Sequence, residues 1–326
     1  SLHDALPIYV EVDVVDISSI KFIEKFEKNI FRFYIIQTLK ILPRLKNYDL
    51  VISHGAQSGI FLSFIRKLFK LKYPPHIVFD IGSFNSAKET GKVLKFMQYA
   101  SKSINALIYH TSTQRQYYDK FYPWLVKNSI FIPFGTDIDY FNDFNHVNSQ
   151  NKFILCVGYA KRDWDTLIKA FSSIDQDKVS LKIIGKNDLV TYDSRIILVP
   201  FIPIENLIDE IKKSLFIVLP LKEYNYSYGQ MTLLQSMALG KAVIVSRVSS
   251  MIDYVDDGEN AIFYESGNLK QLRQGIKLLL GNYDLINTIG TNARNSVIQK
   301  YSEQEMSMKI YHFCKSIIDK YAREIS

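Results

Sequence analysis

Tyr226–Ser246 reads YSYGQMTLLQSMALGKAVIVS, and the change of pattern along it decides the fold. A polar stretch holding Gly229 gives way to Met231, Leu234, Met237 and Ala238 at three- and four-residue spacing, which predicts an apolar helix. Gly240 stands where a helix-ending residue takes the left-handed conformation, and Val243–Val245 then has strand character. At the helix start, Ser227, Tyr228, Gly229, Gln230 and Thr232 offer hydroxyls, a carboxamide and backbone N–H groups that a helix cannot bond internally. They stand at the positive end of the helix dipole, which suits a diphosphate, and a glycine there lets a ligand approach the backbone closely. On this segment alone, an ordinary capped strand-helix-strand unit reads the same way.

The surrounding chain repeats the alternation. Apolar runs at Val10–Val15, Leu50–Ser53, Ile77–Phe79, Ala106–Tyr109 and Ile130–Pro133 are separated by helical patterns over Ser19–Leu45, Ile60–Tyr73 and Gly91–Ser101. After a polar, linker-like stretch, Asp137–Gln150, strands are expected at Phe153–Val157, Leu181–Ile184, Ile196–Val199, Phe216–Leu219 and Ala261–Tyr264. Helices are expected at Asp163–Phe171, Glu205–Lys213 and Ser302–Tyr321. Strands that alternate with helices argue for parallel sheets covered on both faces. The expected fold is α/β, with two Rossmann-like doubly wound domains over residues 1–141 and 142–302 and a last helix, about 303–324, returning to the first. Ligands of such sheets bind beyond the carboxyl ends of the strands, here in a cleft between the two.

Composition is that of an ordinary globular chain: 326 residues, 47% apolar and 22% charged. No run approaches the ~20 apolar residues of a membrane span and no leader pattern is visible, so the expected location is cytoplasmic. Cys156 and Cys314 are too few for a disulfide framework. The net charge of +7 is uneven, with 18 lysines and arginines against 12 acidic residues over 1–141 and 22 against 21 over 142–326. Much of the excess lies in Ile60–Tyr73, IFLSFIRKLFKLKY, whose apolar and basic blocks suit either a helix on an anionic bilayer or a core-facing helix with a solvated basic face. No zinc-finger spacing, RNA-recognition signature or basic arm accompanies the charge, which argues against nucleic acid. Ser1–Ile8, SLHDALPI, resembles translated adapter sequence and is left out of the fold reasoning.

Four segments in order carry a family resemblance: Ile132–Phe141 (IPFGTDIDYF), Phe153–Phe171 (FILCVGYAKRDWDTLIKAF), Tyr226–Ser246 and Asp256–Tyr264 (DDGENAIFY). Together they resemble the interdomain linker, donor-domain entry, donor-nucleotide motif and following turn of GT-B glycosyltransferases of the retaining family-four (group 1) type. The resemblance implies a hexose moved, without a metal or cofactor, from a nucleoside-diphosphate sugar to a glycan or lipid-linked acceptor, as in cell-surface polysaccharide synthesis. That family opens with a strand and glycine-rich loop that nothing here matches, which implies an N-terminally shortened chain. In the family, two glutamates separated by seven residues hold the donor sugar and ribose; those positions are Ser227 and Gln235 here.

By the same resemblance Arg162 takes the place of a phosphate-binding lysine, with Lys161 as its neighbour and Tyr159 where relatives often have a second arginine. Gly185, Lys186, Phe201, Ile202 and Pro203 surround the nucleotide base. Breaking the anomeric bond builds negative charge on the departing diphosphate, which fixed cations and helix N-termini can stabilise. His54 and Asp80 each follow an apolar strand at its carboxyl end, where an acceptor can be oriented or a base placed. A helix cap or solvated loop residue is the plainer reading of either. Asp163-Trp164-Asp165 and Asp137-Ile138-Asp139 spell a DxD metal motif, but the first opens a helix that Asp163 can cap and the second lies in the linker-like stretch. Two rivals stand beside the transferase: a silent nucleotide-sugar-binding protein and a nucleotide-sugar epimerase on the same fold.

Overall fold

The computed structural model describes residues 10–16, 27, 34–82, 84, 89–142, 153–175, 178–224 and 226–323. They fall into two units. One runs to Pro133 and takes in Asn225–Ser227 and Met306–Ser326; the other comprises Phe134–Tyr224 and Tyr228–Glu305.

In the first unit, α1 (Ile35–Ile41) passes into a 3-10 turn at Leu42–Asn47, where Pro43 interrupts the α-helical bonding. There follow β1 (Val51–His54), α2 (Ala56–Leu68), β2 (His76–Asp80), α3 (Lys92–Ser101), β3 (Ala106–Tyr109), α4 (Gln114–Phe121), α5 (Pro123–Val126) and β4 (Ile130–Phe131). The sheet is parallel in the order β1-β2-β3-β4, with Val51 opposite His76, Ile77 opposite Ala106 and Ile108 opposite Ile130. β2 and β3 are buried along their whole length, as the inner strands of a covered parallel sheet must be.

The second unit continues with β5 (Phe153–Val157), α6 (Trp164–Ser172), β6 (Ser180–Ile184), β7 (Ile196–Val199), α7 (Ile204–Lys213), β8 (Ile217–Leu219), α8 (Gln230–Ala238), β9 (Val243–Arg247), β10 (Ile262–Glu265), α9 (Leu269–Leu280) and α10 (Tyr283–Lys300). Its sheet is also parallel, ordered β10-β9-β8-β5-β6-β7. The period of two along β5 sorts its side chains: Leu155 and Val157 pack with Leu233, Leu234 and Met237 of α8, whereas Ile154 and Cys156 face Leu167 and Phe171 of α6. α11 (Glu303–Arg323) closes the chain, and its Ile310, Cys314 and Ile317, at helical spacing, are buried against Ile77, Phe79 and Ile108 of the first unit.

Several elements differ from the sequence reading. Val10–Val15 forms no strand: Val10, Val12 and Val14 are exposed, because β propensity is realised only where a neighbouring strand completes the ladder. Of the expected Ser19–Leu45 helix, residues 19–26 and 28–33 lie outside the described residues. Residues 143–150 of the linker-like stretch lie outside them too; Phe141 is buried in the second unit's core, so that unit begins earlier than residue 142. The sequence reading did not mark α4 or α5: the tyrosines and charges of α4 hide its apolar period, and α5, at four residues, is too short to show one. The basic helix α2 faces the core: Ile60, Leu62 and Arg66 are buried and Phe64 packs 5.3 Å from the Phe96 ring. Among the described residues no helix is long and apolar enough to cross a membrane.

Candidate active site

The strand order of the second sheet reverses between β5 and β8, and at such a switch point two loops part and leave room beyond the strand ends. The loop after β5 turns sharply, with Gly158 at φ 111° and Lys161 at φ 60°. The loop after β8 is laced to it: Asp163 N donates to Pro220 O at 2.7 Å and Lys222 N to Lys161 O at 3.2 Å. The same loop runs on to Gly229, whose left-handed conformation (φ 84°, ψ −16°) starts α8. Gln230, Met231 and Thr232 form the first turn, whose N–H groups point out of the helix.

Arg162 joins the two loops. Its Nη2 lies 3.5 Å from Thr232 Oγ1, and the side chain is only 8% exposed. Nε and Nη2 both donate to Val157 O, at 3.2 and 3.0 Å, and Nη1 donates to Ala160 O at 3.1 Å. Most of the guanidinium's donors are therefore spent on protein carbonyls, and what the residue chiefly offers a ligand is fixed positive charge rather than an open two-pronged fork. Burial lowers its pKa from the ordinary arginine value. Lys161 is exposed, with Nζ 4.0 Å above the Tyr224 ring.

Around this pair, the exposed rings of Tyr159 and Phe201 meet edge to face at 5.3 Å. Gly185, at φ 100°, fits beneath Phe201, where an added β-carbon would stand 3.3 Å from the ring. Ile202 packs on the core, and beneath it a cavity of about 310 Å³ opens between the sheet and α7, with Lys182, Glu210 and Lys213 on its wall. Lys186 pairs with Asp188 at 2.7 Å, and this hydrogen bond holds the Asp188 carboxyl below the usual range. Gln230 Nε2 donates to Ser250 O at 3.1 Å, a bond that helps fix the helix start. Tyr228 Oη donates to Lys222 O, Met231 is exposed, and Gln235 is half-buried one turn further along α8.

The remaining predicted residues belong to the first unit. Ser227 Oγ accepts from Thr111 Oγ1 at 3.5 Å. His54 is exposed at the end of β1, stacked on Phe79 at 6.3 Å. Asp80 is fully buried: it accepts from Tyr118 Oη at 2.6 Å and from the backbone N–H of Gly82 and Phe84 at 3.0 and 3.5 Å. Those bonds make it an organiser of its loop. His110, which the sequence reading did not single out, comes directly after β3 while His54 ends β1, and that near-parallel was the available signal. Its Nδ1 lies 2.8 Å from Ile132 O, and burial lowers its pKa so that the ring is held neutral.

Among the described residues, no group of three or more His, Cys, Asp or Glu is placed to hold a metal. Asp163 caps α6, accepting from Thr166 N at 3.4 Å and Thr166 Oγ1 at 2.7 Å, and Asp137 accepts from Asp139 N and Tyr140 N in a tight turn.

Two Rossmann-like domains, the second with an arginine and a glycine-capped helix at its switch point, define the GT-B class of fold. Residues 151–282 match the model of the family described as glycosyl transferases group 1. The capsular polysaccharide biosynthesis glycosyltransferase CapM of Staphylococcus aureus is 35% identical over 71 residues, 22% of this chain and 19% of the relative. This chain thus matches about a fifth of that relative's length. Among solved structures, sucrose-phosphate synthase from Thermosynechococcus elongatus superposes with a TM-score of 0.71 at 16% identity, over 91% of this chain and 80% of that one. Anabaena HepE in complex with UDP gives 0.71 at 14% identity, over 86% and 82%. At such identities the likeness establishes the fold.

Proposed function

We propose that the chain is a glycosyltransferase that moves a hexose from a nucleoside-diphosphate sugar to a glycan or lipid-linked acceptor, in the cytoplasm, during synthesis of a cell-surface polysaccharide. One observation carries the reading: Arg162, from the loop after β5, reaches the first turn of α8 at Thr232, at the switch point of the sheet. A diphosphate bound there meets a buried guanidinium and a helix N-terminus together. As the anomeric bond lengthens, charge grows on the departing diphosphate, and these groups stabilise it without having to reorganise. On this reading Lys161 adds a second charge and no metal is required, while Tyr159 and Phe201 flank the base. Retention at the anomeric carbon follows from the family resemblance alone. The HepE structures with UDP and with UDP-glucose, and the capsule role in the name of CapM, support this donor and product class.

The second reading is a silent nucleotide-sugar-binding protein. It is favoured by the neutral side chains of Ser227 and Gln235, and by Tyr159 in a position that relatives fill with arginine.

Calorimetric titration of wild type and Arg162→Ala with UDP and with uridine tests the phosphate role. The variant is expected to lose at least tenfold in UDP affinity, the scale of one charged donor, with uridine affinity little changed. Equal loss for both ligands counts against the proposal. A donor-hydrolysis assay separates the two readings, because binding without turnover supports the silent protein.

A further inference from the structure

Leu68–Tyr73, LFKLKY, is a run of six consecutive exposed residues at the end of α2. Leu68 is 54% exposed and Phe69 66%, and Leu71 and Tyr73 stand out beside them. Water solvates these apolar side chains poorly, and several of them exposed along one short turn point to a contact site. Lys67, Lys70 and Lys72 are interleaved with it, and the sequence holds no acidic residue between Asp49 and Asp80. Asp49 lies beside the turn and accepts from Tyr73 Oη at 3.3 Å.

The turn is held rigidly. Phe69 N donates to Ile65 O and Leu71 N to Arg66 O, both at 2.9 Å, and Lys70 takes a left-handed conformation at φ 55°. Beneath it lies Arg66, 1% exposed, whose Nη2 donates to Lys72 O at 3.2 Å and Pro74 O at 2.5 Å. Among the described residues its Nε and Nη1 have no hydrogen-bond partner and no carboxylate bonds it. This charge therefore adds to the field of the three lysines above it. Residues already fixed in place lose little conformational freedom when they enter an interface.

We propose that the Leu68–Tyr73 turn, rather than the face of α2, docks this unit on a bilayer surface rich in anionic phospholipid. Phe69, Leu68 and Leu71 enter the headgroup boundary, Tyr73 lies at its polar edge, and Lys67, Lys70 and Lys72 meet the lipid phosphates. α2 itself is ruled out as the docking face because Ile60, Leu62 and Arg66 are buried against the unit. The turn leads into the amino end of β2, so docking leaves the opposite end of that sheet, with His54 and Asp80, turned away from the lipid. The proposal stands independently of the reaction assigned above.

Co-sedimentation of the full chain with phosphatidylcholine vesicles, with and without phosphatidylglycerol, tests it. The chain is expected to bind the phosphatidylglycerol vesicles, less so as salt rises. Replacing Lys67, Lys70 and Lys72 together by Ser is expected to weaken partitioning by on the order of 100-fold, at about one lipid-facing charge per tenfold or less. Leu68→Ser, Phe69→Ser and Leu71→Ser together are expected to abolish it, with the far-ultraviolet circular dichroism unchanged in both variants. A third variant with Lys127, Lys309 and Lys315 replaced by Ser, exposed lysines of the same unit, is expected to bind as wild type. Equal binding to neutral and anionic vesicles, or none to either, overturns the proposal. An equal loss in the third variant overturns it as well, because net charge then explains the effect. So does an apolar variant that converts a dimer to a monomer in sedimentation velocity yet still binds vesicles, since the turn is then a contact between copies.

Discussion

The guanidinium of Arg162 rests on the bare α-carbon of Gly158: a β-carbon there would stand 2.6 Å from Nη2 and 3.0 Å from Cζ. Glycine is thus required twice, once for its φ of 111° and once for the space that lets Arg162 fold back beneath its own loop. Gly158→Ala is expected to destabilise the second unit by about 1–3 kcal/mol and to displace the guanidinium from Thr232, weakening UDP binding at least tenfold. Gly91→Ala is the control, because Gly91 has a similar φ of 105° but nothing within 4 Å of an added β-carbon. Thermal unfolding and calorimetry on both variants separate strain from displacement. If Gly158→Ala binds UDP as tightly as Gly91→Ala does, the position of Arg162 does not govern phosphate binding.

Asp80 illustrates a carboxylate at a strand end that serves the fold. With Tyr118 Oη at 2.6 Å and two backbone N–H groups around it, it is satisfied and buried. Tyr118→Phe removes one of these donors without changing the shape of the ring. The expected cost is about 1–3 kcal/mol in urea unfolding, the penalty for a buried acceptor left short of a partner. Nucleotide affinity is expected to be unchanged. A variant of full stability would show that the bond contributes nothing, and one with unaltered stability but impaired turnover would restore Asp80 to the chemistry.

The order of elements was legible because each signal is local. The spacing of Leu234, Met237 and Ala238, the glycines at 229 and 240 and the β-branched run after them depend on nothing distant. Gly229 does start α8, and it does so left-handed. What the sequence could not show is where side-chain donors end up. Arg162 reads as an open fork, yet its donors meet Val157 O and Ala160 O because the short loop folds it inward. Gln230 reads as a ligand contact, yet its amide is tied to Ser250, twenty residues away. Val10–Val15 reads as a strand, but a strand needs a partner that local pattern cannot supply. α2 and the turn after it share one apolar and basic composition, and only packing separates the buried part from the exposed part. In each case tertiary contacts decide between readings that local pattern leaves equal.

His76 gives a pH dependence whose sign follows from its hydrogen bonds. Ser63 Oγ donates its single proton to Gly59 O at 2.6 Å, so it can only accept from His76 Nδ1 at 3.2 Å. Nδ1 therefore carries the ring proton, and Nε2 accepts from Ser53 Oγ at 2.9 Å. A second proton on Nε2 would force Ser53 Oγ to turn from donor to acceptor and would place a charge in a fully buried site near Arg66. Burial first, and Arg66 second, accordingly hold its pKa well below the ordinary 6.5. Below pH 6.5 the unfolded chain takes up a proton that the folded chain refuses, so stability is full above that value and falls as the pH drops. At pH 5.5 the loss is expected to reach up to about 1.4 kcal/mol for this residue. Urea unfolding at pH 7.5 and 5.5, with His76→Gln beside wild type, measures it: the variant is less stable at both values but loses correspondingly less between them. Identical pH slopes for the two proteins would mean that His76 takes up its proton in the folded state, and that burial does not hold the ring neutral.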